Sequence, residues 1–427
     1  MFNIFFSLRG ILILSLGFIG MIATFRRPKW GVIIFIILFY IRDGFLNEWF
    51  PFAYTTLHLP LVFGILTGIS WILYKEKLPV KIPFQLWLMV VFFFVICFSR
   101  YVNGTGIFEN KIPLEFLKMC ILFFLIINCI QDEKSFKQVL WAIILTSLFL
   151  TLYQYYQYKT GWRSVFVVTV YNTLNRNEFA NILASMIPIS FSLMRDSRKI
   201  KTKIFLIFSF LCFTSGVILT YSRSAAFAMF IAIFLVILVN KNKIRNIIIF
   251  LILGILITSR ISSNYYDRLS TIKDYQKDAS AMGRVATNRA AINILRAHPF
   301  LGVGAGNYNS VFLNYVPKEL IGWVSPGKSI HNIFLQVASE TGFIGLVIFS
   351  IFIISSFLIV IKIRRDQIVQ EKFPSLRNMV TNIGIALFSY IIALQFHPGA
   401  YYKSIYIFVP LIIAIKFCVF QGVKEKE

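Results

Sequence analysis

Apolar stretches of helical length recur from one end of this 427-residue chain to the other, and they leave it few ways to fold. They lie near residues 4–25, 30–46, 56–74, 84–99, 114–130, 138–157, 179–194, 203–220, 224–239, 245–260, 332–361, 379–395 and 402–420. Hydrocarbon offers backbone N–H and C=O groups no partner, so only helices and closed barrels cross it. Barrel strands read as segments of about ten residues with alternating polarity, whereas these runs are continuous and therefore helical. Hydrophobic residues make up 58% of the chain and charged residues 14%, which excludes a water-soluble domain. The expected fold is all-α, a polytopic transmembrane helical bundle of about 12–13 spans with one long external loop containing short helices. Several runs fall short of the roughly 20 residues of a full span. The first contains Arg9-Gly10 and reads either as a span with a defect or as a short interfacial helix followed by a short span. No small-residue cleavage site follows it, so it is expected to stay in the mature protein.

Basic residues cluster in alternate connections: Arg26/Arg27/Lys29, Lys75/Lys77/Lys81, Lys134/Lys137, Arg195 to Lys203, Lys241/Lys243/Arg245, Lys362 to Arg377 and Lys424/Lys426. The positive-inside bias assigns those connections to the cytoplasm. Much of the +25 net charge follows from that bias, with contact to anionic membrane lipids as a further consequence. Because the charge is dispersed rather than gathered on one face, nucleic acid is excluded as a partner. Cys97, Cys120, Cys129, Cys212 and Cys418 all lie in apolar runs, so the external face is expected to have neither a disulfide framework nor a zinc-type cluster.

The chain divides into an N-terminal transmembrane bundle over 1–260, a large external loop over 261–331 and C-terminal transmembrane helices over 332–427. The loop is too long for a simple connector. It holds more Lys and Arg than Asp and Glu, against the bias that governs the rest of the chain, and an anionic ligand would account for them. Within it, GRVATNRAAINILRAH reads as a helix between Gly283 and Pro299, with Val285, Ile292 and Leu295 near one side. Arg289 and Arg296 share a face and Arg284 lies well round from them. These arginines suit either a substrate cleft or an interfacial helix that snorkels to lipid phosphate. Gly302, Gly304 and Gly306 alternate in PFLGVGAGNY and mark tight backbone, not chemistry. His331 opens the next helix, with Asn332, Gln336 and Glu340 spaced down its first turns. His58, His298 and His397 read as interfacial or turn residues, the last two because each precedes a proline. Arg223, in Tyr221-Ser222-Arg223-Ser224, either lines a cavity at membrane depth or sits in an outer turn. Arg176 and Glu178 stand at the outer mouth of a helix, at a binding site or as a cap.

The stretch Gly283 to Leu346 resembles the conserved region of the O-antigen ligase and polymerase superfamily. The matching pieces are Gly283-Arg284, Pro299 to Gly302, Gly304, Gly306-Asn307, His331-Asn332 and Glu340-Thr341-Gly342, with Asn175 to Asn177 and Tyr221 to Ser224 upstream. FRRPKWGVIIFIILFYIRDGF resembles the front end of O-glycosylation ligases of the same superfamily. Asn293 departs from the Arg-x-x-x-Leu that some members show after the position of Arg289. The resemblance implies a GT-C-like membrane glycosyltransferase in the bacterial cytoplasmic (inner) membrane, working on the external, periplasmic side. Its donor would be an undecaprenyl-diphosphate-linked glycan and its acceptor a glycan, lipid or protein hydroxyl. His331 would be the general base, Arg284 and Arg223 would stabilise the diphosphate, and Arg176, Arg289, Asn332 and Glu340 would bind substrate. Neither metal nor cofactor is expected. Ligase-type transfer is ranked before repeat-unit polymerisation and protein O-glycosylation, with a lipid-linked glycan flippase as the reading from another class.

Overall fold

The computed structural model describes residues 8–41, 59–74, 79–160, 176–239, 279–401 and 404–424. Among them the regular structure is helical throughout. The membrane half of the chain contributes α1 (Leu8–Arg26), α2 (Pro28–Ile41), α3 (Leu59–Leu73), α4 (Phe84–Val102), α5 (Ile112–Cys129), α6 (Glu133–Lys159), α7 (Arg176–Asp196), α8 (Ile200–Leu219) and α9 (Arg223–Val239). The loop region holds α10 (Ala279–Ala297), the single turn α11 (Tyr308–Val311) and two 3₁₀ turns, Phe312–Tyr315 and Lys318–Trp323. The chain closes with α12 (Ile333–Arg365), α13 (Gln367–Lys372), α14 (Pro374–Ala393) and α15 (Ile405–Lys424).

The polytopic all-α bundle expected from hydropathy is the fold observed. Among the described residues α4, α5, α6, α8, α12 and α14 are long and apolar enough to cross a membrane, and α1, α2, α3, α9 and α15 are shorter apolar helices. Helix α1 runs unbroken through Arg9-Gly10. The run at 245–260, the loop residues 261–278, Asn175 and His58 lie outside the described residues. Phe94, Phe98, Ile204, Phe227, Phe234, Ile354 and Leu358 are exposed large apolar side chains, a surface that suits acyl chains and not water.

Helix α7 carries Asn181, Ser185, Ser190 and Ser192, yet it is buried on every side from Phe179 to Ser190. It can be polar because it packs against α8, α9 and α14 and meets protein where an outer helix meets lipid. The two ends of the bundle differ in charge. At one end Lys29 Nζ donates to Ser135 Oγ (2.9 Å), Lys137 pairs with Asp196 (2.6 Å) and Arg377 Nε donates to the Arg364 carbonyl (3.0 Å). This basic end gathers connections that lie far apart in sequence, as their alternation requires. The opposite end collects the C-termini of α4, α8 and α14, the N-termini of α7, α9 and α12, and the loop region.

The described part of the loop has its own small core. Ala286, Ala290, Ala291 and Ile294 of α10 pack on Val303, Tyr308, Phe312, Val316 and Ile330. The helix differs from its expected form in two ways. It starts four residues before Gly283, where a Cβ would displace the Lys328 ammonium and lie 3.1 Å from the Trp323 carbonyl oxygen. Its buried stripe is the alanine-rich one, with Val285 exposed and Ile292 and Leu295 only half-buried, because small side chains leave room for the bulky Tyr308, Phe312 and Val316.

Candidate active site

The backbone of α12 is interrupted at Gly342, whose φ of 69° and ψ of −167° leave the helical region. An interruption frees carbonyls and N–H groups that must find other partners when buried. The glycine-rich segment supplies them. Val303 N donates to the Ser339 carbonyl (3.0 Å), Gly304 N to the Glu340 carbonyl (3.0 Å), and Phe343 N donates to the Pro299 carbonyl (2.7 Å). Ser99 of α4 adds its hydroxyl to the carbonyls of Leu301 (2.6 Å) and Glu340 (2.8 Å). The contact is backbone against backbone. A Cβ on Gly342 would fall 2.2 Å from the Phe300 carbonyl carbon and oxygen, and one on Gly302 2.4 Å from the Ser339 carbonyl oxygen. The Gly302 and Glu340-Thr341-Gly342 motifs are thus two halves of one clasp.

Arg100, which lies just beyond the apolar run of α4, is 3% exposed. Its Nη1 donates to the Ala305 carbonyl (2.7 Å) and its Nη2 to the Gly106 carbonyl (2.8 Å). Glu340, also 3% exposed, faces the backbone of Gly306 and Tyr308, with Arg100 nearby. The Tyr401 hydroxyl lies beside its carboxylate without closing a hydrogen bond of ordinary geometry, and Oε2 is left buried without a partner.

Asn332, Gln336 and Glu340 recur at the spacing of one helix face, and each meets the connection between α14 and α15. The Asn332 amide donates to Gln395 Oε1 (3.2 Å) while its Oδ1 caps α12 by accepting from Phe334 N and Leu335 N (3.0 Å each). Gln336 Oε1 accepts from the backbone N–H groups of Gly399 (3.0 Å) and Ala400 (3.1 Å). This polar zipper seats residues 395–401 beside the start of α12 and places His397 edge-on to His331, with ring centroids 6.3 Å apart at 75°.

His331 is half-buried and precedes the cap residue. Burial pushes its pKa down to about 4, helped by the positive charge of Arg284 and by His397 and Lys328, while the Phe396 carbonyl works the other way. Nδ1 is buried and has no hydrogen-bond partner among the described residues. Burial and Arg284 also push His397 down to about 4. Arg284 therefore stands close to both rings, on the inward side of α10.

Of the residues chosen from sequence, His331 and Arg284 come together. Asn332 follows directly but spends its amide on the cap and on Gln395, and Glu340 lies two turns into α12 against Arg100. Arg289 is exposed, five residues and so about 140° round the helix from Arg284. Arg223 begins α9, half-buried, after a turn in which Tyr221 has φ 53°; Arg176 begins α7. Both are at the loop end of the bundle, and neither is among the groups that bear on His331. His397 and Arg100 are the residues sequence reasoning passed over. The proline after His397 pointed to a turn, and nothing near Arg100 in sequence signals the carbonyls it binds.

A polytopic helical membrane protein with a histidine–arginine centre at its loop end is the class that this fold and site define. Residues 208–350 match the family model described as O-antigen ligase. The matched segment spans α9, the loop, His331 and the interrupted half of α12. Comparison with curated proteins gives no match.

Proposed function

We propose that this protein is a metal-independent glycosyltransferase of O-antigen ligase type. It moves a glycan from an undecaprenyl-diphosphate carrier to an acceptor hydroxyl at the outer face of the bacterial cytoplasmic membrane. The observation that carries the reading is His331, an uncharged imidazole with an unpartnered Nδ1 set beside Arg284. Nδ1, buried and without a partner among the described residues, is assigned the lone pair. That nitrogen takes the proton of the acceptor hydroxyl as its oxygen bonds to the anomeric carbon. The bond from that carbon to the diphosphate oxygen breaks, and the electron pair leaves with the diphosphate. Arg284 stabilises the charge that develops there, a task its planar guanidinium performs bidentately. Arg223 and Arg176, at the same end of the bundle, are the further cations for the carrier, and the cationic role of a divalent metal falls to these arginines. The outer-face assignment rests on the positive-inside bias applied to the basic end.

The test is transfer by purified protein in detergent from an undecaprenyl-diphosphate oligosaccharide, with and without a lipid acceptor and with chelator present. Transfer to the lipid that survives chelator but falls by about 10²–10⁴-fold in His331→Ala supports the reading. Lengthened carrier-linked glycan would make the protein a polymerase instead. Equal activity in His331→Ala and wild type would overturn the catalytic assignment.

A further inference from the structure

We propose that His397 is a positioning residue for His331: its ring, locked in place by Pro398 and held edge-on to His331, fixes the orientation of the base and seals its inner face from water. The proposal rests on the reading of His331 as the base, and four observations support it.

First, the segment that carries His397 is tied on both sides, through Gln395 to Asn332 and through Gly399 and Ala400 to Gln336. The Tyr406 hydroxyl donates to the Ala400 carbonyl (2.6 Å) and ties the segment to α15 as well. Second, the tautomer of His397 is fixed by chemistry. Its Nδ1 lies 2.6 Å from the Pro398 carbonyl oxygen, which can only accept, so Nδ1 carries the hydrogen. Third, the ring is 1% exposed, and it presents an edge to His331 across 6.3 Å. An imidazole so enclosed excludes water from the side of His331 that it covers. Fourth, the groups facing His331 are Arg284 from α10, Lys328 from the loop, and His397 and the Phe396 carbonyl from the connection. With Arg284 bearing on both rings and Lys328 on His331, a second proton on either ring is disfavoured so long as water cannot solvate it. A histidine that merely filled a turn would need none of these relations to His331.

The experiment uses the full chain in lipid nanodiscs with ¹⁵N-labelled histidine. There are four histidines, each assigned by single substitution. Ring-nitrogen shifts are followed against pH for wild type, His397→Ala and His397→Phe, beside the pH profile of glycan transfer. The expected wild-type spectrum shows His397 with hydrogen on Nδ1 and an uncharged His331 at neutral pH. In His397→Ala, water reaches the base and its titration moves up by about one pH unit or more, carrying the acid limb of transfer with it. His397→Phe, which keeps the bulk and the edge contact, leaves that titration close to wild type and also covers a failure of the alanine variant to fold. The proposal is overturned if His331 titrates alike in wild type and His397→Ala, if His397→Phe shifts as far as the alanine variant, or if His397 carries its hydrogen on Nε2. Should His331→Ala retain full transfer, the catalytic reading fails, yet the shifts still decide whether His397 governs its neighbour.

Discussion

Replacing Gly302 by alanine tests the clasp between the glycine-rich segment and the interruption in α12. Gly302 has φ 63°, a region that costs an L-residue about 1–2 kcal/mol. The added Cβ would lie 2.4 Å from the Ser339 oxygen, 2.5 Å from the Glu340 carbon and 2.7 Å from the Thr341 nitrogen, where ordinary contact begins at 3.4 Å. All three are backbone atoms, so no side chain can swing aside. Overpacking of this kind costs about 1–3 kcal/mol, giving a total of about 2–5 kcal/mol against a typical stability of about 5–15 kcal/mol. Relief by withdrawal of the segment would break the Val303–Ser339 and Gly304–Glu340 hydrogen bonds, each worth about 1 kcal/mol. The assay is the apparent melting midpoint in detergent, followed by tryptophan fluorescence, with Gly322→Ala as control. Gly322 lies in the same loop region, outside the left-handed region, and a Cβ there meets nothing within 4 Å. Gly302→Ala should melt several degrees below wild type and lose transfer, while Gly322→Ala behaves as wild type. If the two variants melt together, the clasp does not hold the site.

Other perturbations bear on the same end of the molecule. Transfer should persist to unusually low pH, because His331 loses its uncharged form only as pH falls through about 4. At pH 5.5 an ordinary histidine is only about one-tenth uncharged, whereas His331 stays above about nine-tenths, so a steep fall in rate near pH 6.5 would refute its assignment as the base. The sign for stability runs the other way: the unfolded chain binds protons at His331 and His397 from about pH 6.5 and the folded chain only near 4. Stability should therefore decline with falling pH across that window and level off below it, as a melting series would record. Arg284→Lys keeps the charge but loses the two-point grip on phosphate, and kcat/KM for the donor should fall by about tenfold or more, roughly 1.4 kcal/mol. An unchanged kcat/KM would remove Arg284 from the diphosphate site. Gln336→Leu strands the N–H groups of Gly399 and Ala400, each costing about 1–3 kcal/mol, and should lower the melting midpoint and the rate together.

Hydropathy made the bundle legible, because a helix facing lipid has no alternative to an apolar run. The same logic misplaced the start of α10 by taking Gly283 as its boundary, and chose Val285, Ile292 and Leu295 for its buried side where the alanines and Ile294 are packed. Side-chain size, not hydrophobicity, decided that face, since the opposing surface is made of the bulky side chains Tyr308, Phe312 and Val316. His331 and Arg284, proposed as the centre, each sit in a compact motif that draws attention in the sequence. His397 was not, since the groups that give it meaning, Asn332, Gln336 and Arg284, lie 60 to more than 100 residues away along the chain and reach it only through tertiary packing. Arg100 was missed for a related reason: its acceptors are backbone carbonyls, one of them 205 residues distant, and a carbonyl leaves no mark in a sequence.

The interruption at Gly342 also dictates an order of assembly. Ser99 must find Leu301 and Glu340 across separations of 202 and 241 residues, so the first membrane helices leave the ribosome long before their partners exist. When α12 is threaded into the bilayer, the carbonyls of Ser339 and Glu340 and the N–H of Phe343 stay unmet until the preceding segment folds back over them. Threading of the helices and closure of the clasp are therefore separate steps in the folding of this chain. A nascent molecule can have its helices threaded and still lack this clasp, which forms only when two stretches on opposite sides of His331 close on each other.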